Sequence, residues 1–236
     1  MPNRLASYAG ALLLLQGLAG CSSENNSANQ TIAETPAAHA NAAASADLAD
    51  GRLVVAFGDS LYAGYGVLPQ ESFPARLQKA LAARGVPATV RNAGVSGDTS
   101  SAGLRRLAFT LDGLDRKPDL VMVNLGGNDM LRGIDPKETR ANLTAICEEL
   151  KRRGIPILLT GMIAAPNMGR DYADRFNPIY PDLAQRYGAT LYPFFLDGVV
   201  TDRALMLPDS IHPNPKGIDT IVGKVAPVVA GLLDPA

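Results

Sequence analysis

The chain has 236 residues, 47% hydrophobic, with 22 basic against 23 acidic side chains, which excludes disordered, collagen-like and multi-span membrane classes. Arg4 and four acids fall in the first 50 residues, so residues 51–236 hold 21 bases and 19 acids, a net charge of +2 without a basic stripe. That leaves little electrostatic drive toward a phosphate backbone, and nucleic acid is not an expected partner. Two Cys (21 and 147) and two His (39 and 212) are too few soft ligands for a zinc or iron–sulfur site.

Arg4 precedes a mostly apolar stretch from Leu5 to Gly20, densest at Ala11-Leu12-Leu13-Leu14-Leu15 and interrupted by Gln16. It falls short of the about 20 apolar residues of a membrane span and fits a secretory signal over residues 1–20. Leu18-Ala19-Gly20-Cys21 resembles the lipobox of bacterial lipoproteins, which implies acylation at Cys21, export and membrane anchoring. Ser22 favours the outer membrane. Residues 21–50, rich in Ser, Asn, Ala and Thr, lack the apolar surface to offset ordering entropy and read as a flexible tether carrying an inert His39.

From residue 51 to 236 one domain is expected. Leu53–Phe57 reads as the first strand, Ala88–Arg91 as the second, Leu120–Asn124 as the third, Ile157–Thr160 as the fourth and Ala189–Tyr192 as the fifth. Unbroken apolar runs suit strands covered on both faces. Ser72 can cap a helix carrying Leu77 and Leu81. Asp135-Pro136-Lys137-Glu138 opens another, whose stripe of Leu143, Ile146, Cys147 and Leu150 makes Cys147 a core residue. Asn214-Pro215 opens the last helix, which Pro227 should kink or end. This alternation predicts a doubly wound, flavodoxin-like α/β sandwich of three layers around a five-stranded parallel sheet.

In such a sheet ligands bind beyond the carboxyl ends of the strands. There the sequence places Gly58-Asp59-Ser60-Leu61, Asn92 to Asp98, Gly126-Gly127-Asn128-Asp129 and Pro208-Asp209-Ser210-Ile211-His212-Pro213. These four segments resemble, in order and spacing, the four blocks of the SGNH (GDSL-type) hydrolase superfamily, over roughly 150 residues. Ser96-Gly97-Asp98-Thr99, the run from Gly126 to Gly133, Tyr180-Pro181-Asp182-Leu183 and Pro193-Phe194-Phe195 are similar to one branch. That branch holds the periplasmic thioesterase/lysophospholipase and bacterial arylesterases. The lipobox and long tether depart from the soluble periplasmic member. The resemblance implies that the blocks' Ser, Gly, Asn and His fall on Ser60, Gly94, Asn128 and His212.

The residues support that chemistry on their own. Ser60 supplies a hydroxyl on a turn after a strand, and His212 is the one histidine of the expected domain, hence the one base with an intrinsic pKa near neutrality. Asp209, three residues earlier, can return to its Nδ1. Ser60 and Gly94 backbone N–H groups and the Asn128 amide are the candidate oxyanion donors. Asp59 and Asp129 read as loop-building residues, and Asp98 has no sequence link to His212. No metal or cofactor is expected: the Gly-x-x-x-x-Gly-Lys-Ser/Thr phosphate loop is absent, and Gly64-Tyr65-Gly66 is too little for a dinucleotide site.

The function expected is a serine esterase or thioesterase acting on small acyl, aryl or lysophospholipid-type esters, as a monomer whose one link to a membrane is the N-terminal lipid. Leu125, Met130, Ile163 and Met168 are the candidate acyl-binding residues. An O-acetyl esterase acting on envelope glycan and a non-catalytic ligand-binding lipoprotein are the competing readings.

Overall fold

A computed structural model describes residues 51–234; the expected signal segment, Cys21 and the tether lie outside the described residues. Strands β1 (Arg52–Gly58), β2 (Ala88–Gly94), β3 (Leu120–Asn124), β4 (Ile157–Thr160) and β5 (Thr190–Tyr192) form one parallel sheet in the order β2-β1-β3-β4-β5. The expected doubly wound, flavodoxin-like α/β fold is the observed one. β3 and β4 are buried at every residue, because helices cover both faces; each Val, Leu or Ile so removed from water contributes about 1.5–3 kcal/mol.

The helices are α1 (Ser60–Ala63), α2 (Phe73–Ala82), α3 (Ser100–Asp112), α4 (Gly127–Leu131), α5 (Pro136–Arg152), α6 (Arg170–Phe176), α7 (Ile179–Tyr187) and α8 (Pro215–Leu233). α2 packs with α8, while α3, α6 and α7 pack around α5. Asp135 caps α5 through the Lys137 N–H, and Leu143, Ile146, Cys147 and Leu150 form its buried stripe. Burial pushes the Cys147 thiol up to about 12, so it remains a neutral core residue.

Two expectations are corrected here. Pro227 does not end α8, which continues to Leu233. The lost backbone donor is offset by burying Val225, Ala226, Val229 and Leu233. Ser72 stands at the N-cap of α2 without a side-chain cap bond, since its hydroxyl donates to the Pro69 carbonyl at 2.7 Å. Sequence periodicity also passes over α3, whose buried face includes the small Ser100 and Gly103 beside Leu107 and Leu111.

The strand order reverses between β1 and β3, the switch point at which loops diverge and leave a crevice. The loops after those two strands carry Ser60 and Asn128.

Candidate active site

Beyond β1 the chain turns sharply. Asp59 Oδ1 accepts the Leu61 N–H at 3.0 Å, capping α1 and leaving Ser60 as its first residue at the crevice. The facing residues come from the turn before α8. Its base is stapled by an antiparallel bridge between Met206 and Pro213 and by the Leu207 N–H donating to the His212 carbonyl at 2.8 Å. Within the turn, Asp209 Oδ1 accepts the backbone N–H groups of Ile211 and His212 at 2.9 and 3.0 Å. Its other oxygen, Oδ2, lies 2.7 Å from His212 Nδ1, and His212 Nε2 lies 2.8 Å from Ser60 Oγ. Partial burial by itself pushes the Asp209 carboxyl up, but its hydrogen bonds with His212 and Ile211 outweigh this and hold it at about 2. The structure therefore brings Ser60, His212 and Asp209 into one hydrogen-bonded chain.

Tyr65 covers this chain. Its ring lies 4.4 Å from the imidazole, centroid to centroid, with 31° between planes. In sequence Tyr65 stands only within Gly64-Tyr65-Gly66, and nothing in its spacing links it to a residue nearly 150 positions away.

Gly94, expected as an oxyanion donor, does not line the crevice. β2 runs on through Gly94, whose N–H donates to Asn92 Oδ1 at 2.9 Å. A Cβ there would sit 2.3 Å from the Ala63 nitrogen, so this glycine permits α1 to press against the strand. The glycine at the crevice is Gly97. It occupies a tight turn closed by the Asp98 N–H donating to the Val95 carbonyl at 3.1 Å, with a left-handed φ of +85°. Such a turn demands glycine at its third position, a signal that Val95-Ser96-Gly97-Asp98 carries in sequence. Among the described residues the N–H groups of Ser60 and Gly97 have no hydrogen-bond partner. Asn128 stands between them, its Nδ2 donating to Asp59 Oδ2 at 3.2 Å and to the Asp98 carbonyl at 3.0 Å. Asp129 is fully buried and accepts from the Ser100 backbone and from the Ser100 and Thr139 hydroxyls, tying β3's loop to α3 and α5.

A cavity of about 400 Å³ opens beside these groups, walled by Leu61, Met130, Leu131, Met162, Ala165 and Leu196. Of the four expected acyl-binding residues only Met130 reaches it. Leu125 is fully buried and packs over Gly103 of α3; Ile163 is exposed, and Met168 packs against the core, both outside the wall. The loop after β4 turns its Met162 and Ala165 inward instead. Residues alternating along an irregular loop have no fixed period from which to read the inward side.

Residues 56–219 match the GDSL-like Lipase/Acylhydrolase family. The chain belongs to that family. This acylhydrolase is a carboxylic ester hydrolase, and it is similar to proteins of that activity. An arylesterase of Vibrio mimicus is 40% identical over 173 residues, 73% of this chain and 86% of that protein. The thioesterase 1/protease 1/lysophospholipase L1 of Escherichia coli strain K12 is 40% identical over 157 residues, 66% of this chain and 73% of that one. AlinE4, an SGNH-hydrolase family esterase of known crystal structure, is 50% identical and covers 78% of this chain and 98% of its own at a TM-score of 0.67.

Two electrostatic features of the candidate site have no simple sequence signature. Asp59 is almost fully buried, and desolvation raises its carboxyl from 3.8 to about 7 against the bonds from Leu61 and Asn128. Asp98 pairs with Arg106 of α3 rather than with His212. Among the described residues no group of His, Cys, Asp and Glu is arranged to hold a metal ion, and no helix is long and apolar enough to cross a membrane.

Proposed function

We propose that the chain hydrolyses small acyl, aryl and lysophospholipid-type esters and thioesters in the cell envelope, with Ser60 as nucleophile, His212 as general base and Asp209 as its orienting acid. The observation that carries this reading is the chain Ser60 Oγ–His212 Nε2 (2.8 Å) and His212 Nδ1–Asp209 Oδ2 (2.7 Å) at the mouth of an apolar cavity. With the ring proton on Nδ1, held by ionised Asp209, Nε2 is free to take the Ser60 proton as Oγ attacks the acyl carbon. The same Nε2–H then protonates the departing alkoxide or thiolate, and water, deprotonated by His212, releases the acid.

The tetrahedral oxyanion is received by the Ser60 and Gly97 N–H groups and by Asn128 Nδ2, which exchanges its long 3.2 Å bond to Asp59 for the developing charge. Removing one such donor typically costs about 3–4 kcal/mol of transition-state stabilisation. The apolar wall suits an acyl chain better than a glycan, whose hydroxyls need polar partners. The lipobox-like Leu18-Ala19-Gly20-Cys21 supports export and acylation at Cys21, which mass spectrometry of the mature N-terminus tests.

The decisive experiment compares p-nitrophenyl acetate, butyrate and decanoate turnover by wild type and Ser60→Ala. Turnover lost with the hydroxyl from a folded protein is the expected result. Equal turnover in the variant refutes Ser60, and no turnover by wild type on any of the three moves the substrate assignment to an O-acetylated glycan.

A further inference from the structure

Eight large apolar side chains stand exposed among the described residues. Four of them, Tyr65, Leu131, Val200 and Ile211, line the cavity mouth. Leu68, Val95 and Ile163 lie on the loops that carry lining residues: Leu68 stands three residues after Tyr65, Val95 precedes the lining Ser96, and Ile163 follows the lining Met162. Only Phe109, on α3, is elsewhere. Loops after all five strands thus present exposed apolar side chains at the carboxyl end of the parallel sheet, a crown on the end where the cavity opens, where a solvated surface would scatter them.

We propose that this crown seats the enzyme on a lipid surface, from which the substrate's acyl chain passes directly into the cavity. The occupant follows from the crown's position. A second copy or a protein partner pressed onto it would seal the opening that substrate must use, whereas a layer of amphiphiles supplies substrate through it. The sequence before the described residues adds a second argument. About thirty residues separate the candidate acylation position Cys21 from Gly51, and thirty residues, were they random coil, would span on the order of 30 Å. β1 begins at the end of the sheet opposite the crown, and its seven residues rise roughly 23 Å. An anchor at Cys21 therefore leaves the domain free to turn its crown to the same membrane. The lipid-surface role rests on the esterase reading for its purpose but makes its own prediction.

The chain contains no tryptophan, so one introduced at a chosen position reports on that position alone. With vesicles of phosphatidylethanolamine and phosphatidylglycerol containing brominated lipid, full-length Leu68→Trp should shift its emission to the blue and be quenched at least twofold. Phe109→Trp, at a position 83% exposed but off the crown, should not respond. In parallel, Leu68→Ser/Ile163→Ser, altering two residues outside the cavity wall, should keep p-nitrophenyl acetate turnover within twofold. The same variant should lose about tenfold on micellar lysophosphatidylcholine, as reduced apolar burial at an interface predicts. No quenching at position 68, equal quenching at 109, or an unchanged micellar rate overturns the proposal. A crown that instead seats a second copy appears as a dimer in size exclusion that the double variant disperses. Quenching of Leu68→Trp, beside a wild type inert toward p-nitrophenyl esters and lysophosphatidylcholine, would refute the proposed substrates and leave lipid docking standing.

Discussion

Arg106 Nε donates to Asp98 Oδ2 at 2.6 Å while its Nη2 donates to the Gly58 carbonyl at 2.8 Å, and the guanidinium lies 4.1 Å above the Phe57 ring. One planar group on α3 thereby holds the end of β1, next to Asp59 and Ser60, against the loop that carries Gly97. The Asp98 carbonyl in turn accepts from Asn128, so all three candidate oxyanion donors are referenced to it. Lysine has its donors on one nitrogen and lacks the planar fork that reaches these two partners from separate nitrogens. Arg106→Lys is expected to lower kcat by about 10–100-fold with KM within about twofold, the range that misplacement of catalytic groups produces. Steady-state kinetics checks this, and combination with Asn128→Ala should be less than additive, because both act on the same oxyanion. A purely structural arginine would give additive losses.

Asp209 does two jobs with two oxygens, and amide substitution separates them. Asn at this position keeps an Oδ1 for the Ile211 and His212 N–H groups, so the turn should persist and the melting temperature should change little. It no longer holds the imidazole in the required tautomer, and kcat of Asp209→Asn should fall by about 10³–10⁴. Because the Asp209 carboxyl is held down at about 2 by its hydrogen bonds with His212 and Ile211, it stays ionised well into the acid range, and pH–rate measurements should show no contribution from Asp209 above about pH 3.

The two glycines of the second loop predict opposite phenotypes. Gly94→Ala drives a Cβ onto the Ala63 backbone, a clash neither element can relieve cheaply, and should yield little folded protein. At Gly97 a Cβ meets only Arg132 Nη2 at 3.6 Å. There alanine costs about 1–2 kcal/mol of left-handed strain, and Gly97→Ala should fold while losing at least tenfold in kcat. Circular dichroism melts and ester turnover on the pair check both outcomes.

Burial of Asp59 predicts a pH-dependent stability. Its folded carboxyl titrates at about 7 against 3.8 unexposed to the fold, so between these values the native state binds a proton that the unfolded chain has released. Stability should fall as pH rises through that window, by up to about 4 kcal/mol at roughly 1.4 kcal/mol per pKa unit. Asp59→Asn keeps an oxygen for the Leu61 N–H and removes the titration. The difference in urea midpoint between wild type and this variant should therefore change from pH 4.5 to pH 7.5, with wild type relatively more stable at the acid end.

The five parallel strands, the layer count and the turns that carry Ser60, Asp209, His212 and Asn128 are legible in sequence because they rest on local signals: apolar runs, caps, and polar turns at the ends of strands. Cys147 was legible as core for the same reason, lying in register on the α5 stripe. Local signals failed at Gly94 and Gly97, two glycines three residues apart, since the end of β2 is decided by pairing with β1 rather than by its own residues. They failed again at Leu125, Ile163 and Met168, apolar side chains whose choice between core and cavity depends on what packs opposite. The stacking of Tyr65 on His212 and the grip of Arg106 on Asp98 and Gly58 belong wholly to the tertiary structure. Composition and short-range periodicity determine which elements form, but contacts between distant elements decide which way an individual side chain faces, because only the assembled fold supplies its partners.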